Sequence, residues 1–216
     1  MDDPKGMELS PIKRALLEIR ELRARLAQCE AVRTEPIAIV GMSMRLPGGV
    51  RDAASFEALL WDGRDAIGPI PASRWSVDEL YDPDIDAPGK MITRFGGYLD
   101  DVDQFDAEFF GIAPREAECM DPQQRLLLEL AWEAIEDSGR APTSLAGSRT
   151  GVYVGLANSD YGRLQLADRE RLHVYSASGS AFSVAAGRLS YFFGLHGPSV
   201  ALDTACSSSL SAVHLA

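Results

Sequence analysis

Asp203-Thr204-Ala205-Cys206-Ser207-Ser208-Ser209-Leu210 joins two segments of opposite character. Ahead of it, Pro198-Ser199-Val200-Ala201-Leu202 is short and apolar and predicts a buried strand. Behind it, Leu210, Ala212, Val213, Leu215 and Ala216 predict the start of a helix. Cys206 therefore stands at a strand-to-helix turn. A helix N-terminus offers free N–H groups and the positive end of a dipole. Both favour thiolate over thiol, and the thiolate is the nucleophile. The competing reading is a small packing residue, because free cysteines are mostly buried. On the strand–Cys–helix pattern alone the two readings stand level.

Upstream, strand and helix signals alternate. Pro36 to Val40 is apolar and β-branched and predicts a buried parallel strand. Ser55 is placed to cap a helix over Phe56 to Trp61, with Phe56, Leu59 and Leu60 on its apolar side. From Gly63 to Pro114 the chain is rich in Gly, Pro and Asp and reads as a long irregular excursion. Asp121-Pro122 opens a strong helix through Leu126, Leu127, Leu130, Ala131 and Ile135, closed by Gly139. Thr150 to Leu156 predicts a strand, and a polar stretch runs on to Arg171. A helix around Ser183 to Tyr191 precedes the strand that delivers Cys206. Such alternation predicts a layered α/β architecture.

Residues 8 to 33 carry a different pattern. Ser10 can cap and Pro11 suits the first helical position. Ile12, Ala15, Ile19, Leu22, Leu26 and Cys29 then recur in steps of three and four, a heptad seam flanked by Arg14, Glu18, Glu21, Arg25 and Glu30. About three heptads is near the lower limit for a stable coiled coil, so the helix needs a partner or the attached domain. A lone amphipathic helix packed on the body is the alternative. Cys29 falls on the seam and reads as a packing residue rather than a disulfide partner.

Composition sets the outer bounds. The 216 residues are 46% hydrophobic and 25% charged, as in an ordinary globular protein. The net charge of −11 is uneven: residues 1–34 carry seven basic and six acidic side chains, and the rest holds a net of −12. An acidic body argues against nucleic acid as a partner. No apolar run reaches the ~20 residues of a membrane span, and no signal-peptide core is present. Three scattered cysteines form neither a disulfide framework nor a CxxC pattern. A cytoplasmic location is expected.

Several side chains imitate sites. His214 lies eight residues after Cys206, which along one helix is on the order of 12 Å, too far for proton transfer. His173 and His196 lack partners at ligand spacing, so no metal site is expected. Asp82, Asp84 and Asp86 imitate the start of a calcium loop, but Ala87 and Thr93 stand where Gly and Glu are needed. A solvated acidic loop is the better account. Neither a GxGxxG, a GxxxxGK[ST] nor a GxSxG motif occurs. The serines after Cys206 read as helix-start caps and small neighbours rather than nucleophiles.

The stretch Gly187-Arg188-Leu189-Ser190-Tyr191-Phe192-Phe193-Gly194-Leu195, running through Gly197-Pro198-Ser199 into the Cys206 octapeptide, closely resembles the active-site region of β-ketoacyl synthase domains of polyketide and fatty acid synthases. Further blocks resemble the family in order: Glu35 to Met42, Arg45 to Gly49, Pro71 to Trp75, Arg94 to Leu99, Phe105 to Ile112, Pro114 to Ala117, Met120 to Glu129 and Thr150 to Gly155. The resemblance spans residues 35 to 216 and is closest to ketosynthases of bacterial modular polyketide synthases. It implies a thiolase-like layered α/β/α fold, represented by its N-terminal half over residues 35–216. It also raises the coiled-coil reading of residues 1–34, because such synthases often begin with a docking helix.

By that resemblance Cys206 accepts a growing acyl chain as a thioester from the phosphopantetheine arm of an acyl carrier protein, its own N–H serving as an oxyanion donor. A malonyl-type unit on the carrier then loses carbon dioxide, and its enolate attacks the thioester. The family's two catalytic histidines and lysine lie downstream of the cysteine, beyond Ala216, so residues 1–216 in isolation are expected to be inactive. Family members with Gln at the nucleophile position only decarboxylate; Cys points to the condensing type. The implied partners are a second copy, the acyl carrier protein and the C-terminal docking segment of an upstream synthase polypeptide, with no directly bound cofactor. Two other expectations remain open: a non-catalytic docking and dimerisation segment, and the ketosynthase of an animal-type fatty acid synthase.

Overall fold

A computed structural model of the chain describes residues 10–216, which divide into one unit ending at Ile39 and another running Val40–Ala216. The first unit is helix α1 (Pro11–Thr34) and a short segment after it without regular secondary structure. Ser10 caps the helix by accepting the Lys13 N–H at 3.3 Å, and Pro11 fills a first-turn position that has no N–H to satisfy. Ile12, Ile19, Leu22 and Leu26 lie open to solvent along the seam, with Leu16 and Leu17 exposed beside it. Glu21 and Arg25 pair at 2.7 Å across one turn. The expected helix start at residue 8, and the Cys29 side chain, lie outside the described residues.

In the second unit the elements follow as α2 (Ala53–Trp61), β1 (Gly68–Pro69), α3 (Val77–Leu80), β2 (Phe95–Gly96), α4 (Pro114–Cys119), α5 (Pro122–Asp137), β3 (Val152–Gly155), α6 (Asp160–Ala167), α7 (Ser176–Ser180), α8 (Phe182–Phe193), β4 (Ser199–Leu202) and α9 (Ser208–Leu215). β1 and β2 pair antiparallel; β3 and β4 pair in parallel, with Val152 opposite Ser199 and Gly155 opposite Leu202. A parallel pair requires a crossover, here supplied by α6, α7 and α8. Helices α8 and α9 both pack on the β3–β4 pair.

The core lies where α5, α8 and β3 meet. Met120, Leu128, Val154, Ala185, Ala186, Leu189 and Phe193 are buried there with Phe110 and Leu156. An aromatic cluster extends it: Phe109 meets Trp132 edge-on at 4.8 Å, and Phe110 lies 5.0 Å from Phe192. Asp121 caps α5 by accepting the Gln123 N–H at 2.8 Å, and Gly194 ends α8 in the left-handed region at φ 64°.

One buried side chain knits three helices. Gln124 on α5, 3% exposed, donates from Nε2 to the carbonyls of Gly179 at 3.0 Å and of Ser178 and Ala181 at 3.3 Å. Its Oε1 accepts from Arg188 Nε at 3.2 Å, and Arg188 in turn pairs with Glu116 at 2.5 Å. Gln124 thereby helps satisfy carbonyls at the C-terminal end of α7, where Gly179 also accepts the Asp121 N–H at 2.9 Å.

Three expectations need correction. Pro36 to Val40 forms no strand, with Ile37 92% and Ile39 81% exposed. An apolar run becomes a strand only along an available edge, and no strand among the described residues pairs with it. The cap of α2 is Asp52 rather than Ser55. The Asp52 carboxylate accepts the Ser55 N–H at 2.7 Å while Ser55 Oγ accepts the Asp52 N–H at 3.1 Å, a capping box that lengthens the helix toward its N-terminus. The polar stretch before Arg171 contains α6, and α7 lies between that stretch and α8. The Gly63–Pro114 excursion is mostly irregular, as expected. Within it Asp82 and Asp84 accept the N–H of the residue two further on, at 2.9 and 3.1 Å, so these carboxylates turn the backbone.

Candidate functional site

β4 ends at Leu202, and the chain reverses through Asp203, Thr204 and Ala205 into a single 3₁₀ turn, Ala205–Ser207, before α9. Ala205 sits at φ 55°, one of two non-glycine residues with positive φ among the described residues. That conformation is disfavoured for an L side chain by roughly 1 kcal/mol or more, so neighbouring bonds must hold it. They do. Asp203 Oδ1 accepts the Ala205 N–H at 3.0 Å, and Ser208 Oγ donates to the Ala205 carbonyl at 2.7 Å. The result is a sharp elbow with the exposed Cys206 at its outer end.

The serines act differently from expectation. Ser207 and Ser208 make no side-chain cap to α9. Both turn back into the elbow instead. Ser207 Oγ lies 2.9 Å from both Thr204 O and Thr204 Oγ1, and Thr204 Oγ1 lies 3.2 Å from Ser211 Oγ. Ser208, only 5% exposed, accepts the Thr204 N–H at 2.9 Å while donating to Ala205. Hydroxyls of this kind compete for local backbone groups, and here the elbow wins over the helix end.

Gly155, at the end of β3, admits α9 to this position. A Cβ there would lie 2.6 Å from Ser209 N and 2.7 Å from the Ser208 carbonyl carbon. No side chain fits. Composition and periodicity carry no signal of this contact; the only hint is glycine at the end of an apolar strand. The other sequence candidates lie apart from the elbow. His214 is in the last turn of α9 and forms no hydrogen bond to Cys206 among the described residues. His196 donates its N–H to the Ser148 carbonyl at 2.8 Å, and the His173 ring meets Tyr175 at 5.2 Å. Among the described residues no group of three or more His, Cys, Asp or Glu is arranged to hold a metal ion.

A second titratable cluster lies on α5. Arg45 pairs with Glu133 through both guanidinium ends, and the bonded carboxylate raises the arginine above its ordinary value. Glu129 beside it is also raised: burial disfavours its charge most, Arg45 pulls the other way, and Glu133 and Asp106 add repulsion. A carboxyl raised in the folded state contributes stability below its unfolded value, and loses it as pH rises through the folded value. Glu129→Gln is therefore expected to raise the thermal midpoint at pH 7. The gain should fade toward zero as pH drops below about 4, where glutamate is neutral in both states. Thermal unfolding of both proteins across this range checks it; a lower midpoint for the variant at pH 7 contradicts it.

Residues 34–216 match the family described as beta-ketoacyl synthase, N-terminal domain. A phenolphthiocerol/phthiocerol polyketide synthase polypeptide of Mycobacterium tuberculosis is 49% identical over 212 residues, which is 98% of this chain and 12% of that protein. Polyketide synthase GfsB of Streptomyces halstedii is 52% identical over 206 residues, 95% of this chain and 4% of that protein. Among solved structures, the oxazolomycin ketosynthase domain OzmH KS7 of Streptomyces albus JA3453 aligns with a TM-score of 0.75 at 43% identity, covering 82% of this chain and 31% of that one. The ketosynthase from module 6 of the Bacillus subtilis bacillaene synthase aligns with a TM-score of 0.70 at 41% identity, covering 82% and 28%. The chain thus spans about an eighth or less of these two relatives, and under a third of the solved ketosynthases.

Proposed function

The chain belongs to the β-ketoacyl synthase family, with the thiolase-like α/β fold of the solved ketosynthases, and on that premise we propose that it carries the acyl-accepting half of a polyketide chain-elongation site. The observation that carries the reading is the exposed Cys206 thiol at the elbow ahead of α9. In the first step the Cys206 thiolate attacks the carbonyl carbon of an acyl chain held on a carrier protein's phosphopantetheine arm. The carbonyl π pair moves onto oxygen, where the Cys206 N–H donates to it. Collapse of this intermediate expels the pantetheine thiolate, which takes up a proton. In the second step a carrier-bound malonyl-type thioester loses carbon dioxide, and the enolate carbon so formed attacks the Cys206 thioester. The cysteine thiolate leaves, and the β-ketoacyl product remains on the carrier. The family's downstream histidines assist this half.

Curated relatives named as polyketide synthases favour this role over an animal-type fatty acid synthase. The proposed division is a docking helix over 1–34 and the N-terminal half of a ketosynthase over 35–216, working as a homodimer with an acyl carrier protein in the cytoplasm. Among the described residues no helix is long and apolar enough to cross a membrane. The test is acyl loading of the intact synthase polypeptide from a synthetic acyl thioester, followed by peptide mass mapping. An acyl mass increment on the Cys206 peptide is expected; label confined to other residues would overturn the reading.

A specific observation also favours docking through α1. Its seam residues Ile12, Ile19, Leu22 and Leu26 are 74%, 47%, 57% and 59% exposed, more apolar surface than a solvated helix retains without a partner. This surface fits a second copy of the helix, with an upstream synthase polypeptide docking on the pair. Light scattering on a peptide of residues 1–34 is expected to give a dimer that Leu22→Asp dissociates. A strictly monomeric wild-type peptide would sink the idea.

A further inference from the structure

We propose that Ser208 is a positioning residue for acyl transfer, its hydroxyl holding and polarising the peptide unit that presents the Cys206 N–H to the substrate oxygen. The proposal rests on the acyl-acceptor reading of Cys206 and adds a part to that same site.

The Ala205 carbonyl and the Cys206 N–H belong to one planar peptide unit, so whatever fixes the carbonyl also aims the N–H. Ser208 Oγ donates to that carbonyl at 2.7 Å, beside the residue's own backbone N–H, and accepts the Thr204 N–H at 2.9 Å, so the hydroxyl adds a second donor and a link to Thr204. A serine hydroxyl has one proton to give, so the relay has a single direction: Thr204 N–H to Ser208 O–H to the Ala205–Cys206 amide. Linked hydrogen bonds polarise one another, and an amide whose carbonyl accepts becomes a stronger donor at its nitrogen. Among the described residues no group accepts the Cys206 N–H, which leaves that donor for a ligand. Burial of Ser208 to 5% exposure limits competition from water for the hydroxyl. Ala205 takes up the left-handed conformation, at φ 55°, directly before this amide, and Ser208 and Asp203 hold that residue at its two ends.

The consequence is selective. When the thiolate attacks a thioester, negative charge develops on the carbonyl oxygen and calls on the Cys206 N–H. When the same thiolate displaces iodide from iodoacetamide, attack is at a saturated carbon and no oxyanion forms. A loss of amide positioning therefore slows the first reaction and spares the second. Disorder of the whole elbow slows both.

The intact polypeptide, as wild type, Ser208→Ala and Ser208→Thr, is treated in parallel with a butyryl N-acetylcysteamine thioester and with iodoacetamide. Modification of the Cys206 peptide is followed by mass. Ser208→Ala is expected to slow acylation by about 10- to 100-fold, the scale of a weakened oxyanion donor. Its alkylation rate should stay within about threefold of wild type, the scale below which no barrier change is worth assigning. Ser208→Thr keeps the hydroxyl and should retain most of the acylation. An unchanged ratio of acylation to alkylation in Ser208→Ala, whether both rates hold or both fall, overturns the proposal. A wild-type protein alkylated at Cys206 yet never acylated overturns the acyl-acceptor reading itself, a result visible before any variant is compared.

Discussion

On the proposed acyl-acceptor role, Cys206→Ala is expected to abolish acyl loading and to reduce β-ketoacyl product formation in the intact synthase by at least about a thousandfold, because that role needs the thiol. The thiol is exposed, so its removal leaves no cavity, and the cost to folding should stay within about 0.5 kcal/mol, as for other surface substitutions. That separation makes the result interpretable: product loss with an unchanged melting curve belongs to the chemistry. Product assay by mass spectrometry and thermal unfolding of the same preparation provide the two readings. Product formation within tenfold of wild type would assign the acceptor role elsewhere in the chain.

Gly155→Ala should have the second-largest effect, for a different reason. The added Cβ would stand 2.6, 2.7 and 2.8 Å from Ser209 N, Ser208 C and Ser209 Cα, all backbone atoms that no rotamer change can move. β3 cannot retreat easily, since Gly155 is in register with Leu202 and the next residue donates its N–H to the Leu202 carbonyl at 2.9 Å. The first turn of α9 must therefore shift. Overpacking of this kind costs about 1–3 kcal/mol. A shift approaching 1 Å at a reacting group costs on the order of a hundredfold in rate. Because the elbow moves as a whole, acylation and alkylation of Cys206 should both fall, unlike the selective loss expected for Ser208→Ala. Unfolding curves and the paired labelling rates check this; a variant with wild-type stability and wild-type labelling would show that α9 has room to spare.

The features legible in the sequence were those decided within a few residues. The β4–Cys206–α9 passage, the Asp121 cap and Gly139 end of α5, and the helix around Ser183 to Tyr191 are written as local pattern, and all three are present. The ordered blocks from Glu35 to Leu210 carried the family and therefore the fold. What was not legible depends on partners distant in sequence. α7, Ser176–Ser180, has no apolar period, and its C-terminal carbonyls are met by Gln124 from another helix. The apolar run 36–40 has strand composition without a strand edge. At the site, the turn that carries Cys206 between strand and helix was legible. The direction of the Ser207 and Ser208 hydroxyls was not, since a serine suits a helix cap and a backbone tie equally well until the preceding residue's φ is known. Glu129 shows the same limit for charge: its raised proton affinity comes first from burial, which no local pattern announces.

The parallel pairing of β3 with β4 also bears on the order in which the molecule assembles. Antiparallel neighbours can zip from a hairpin, but Val152 meets Ser199 only after α6, α7 and α8 have closed a long loop between them. Loop-closure entropy must be met before that pairing returns any contacts, which makes it a slow event in folding. The Cys206 elbow hangs from the end of β4 and rests on the end of β3, so it takes shape only once that closure is complete. During synthesis the thiol therefore gains its working geometry late, when the crossover helices already stand.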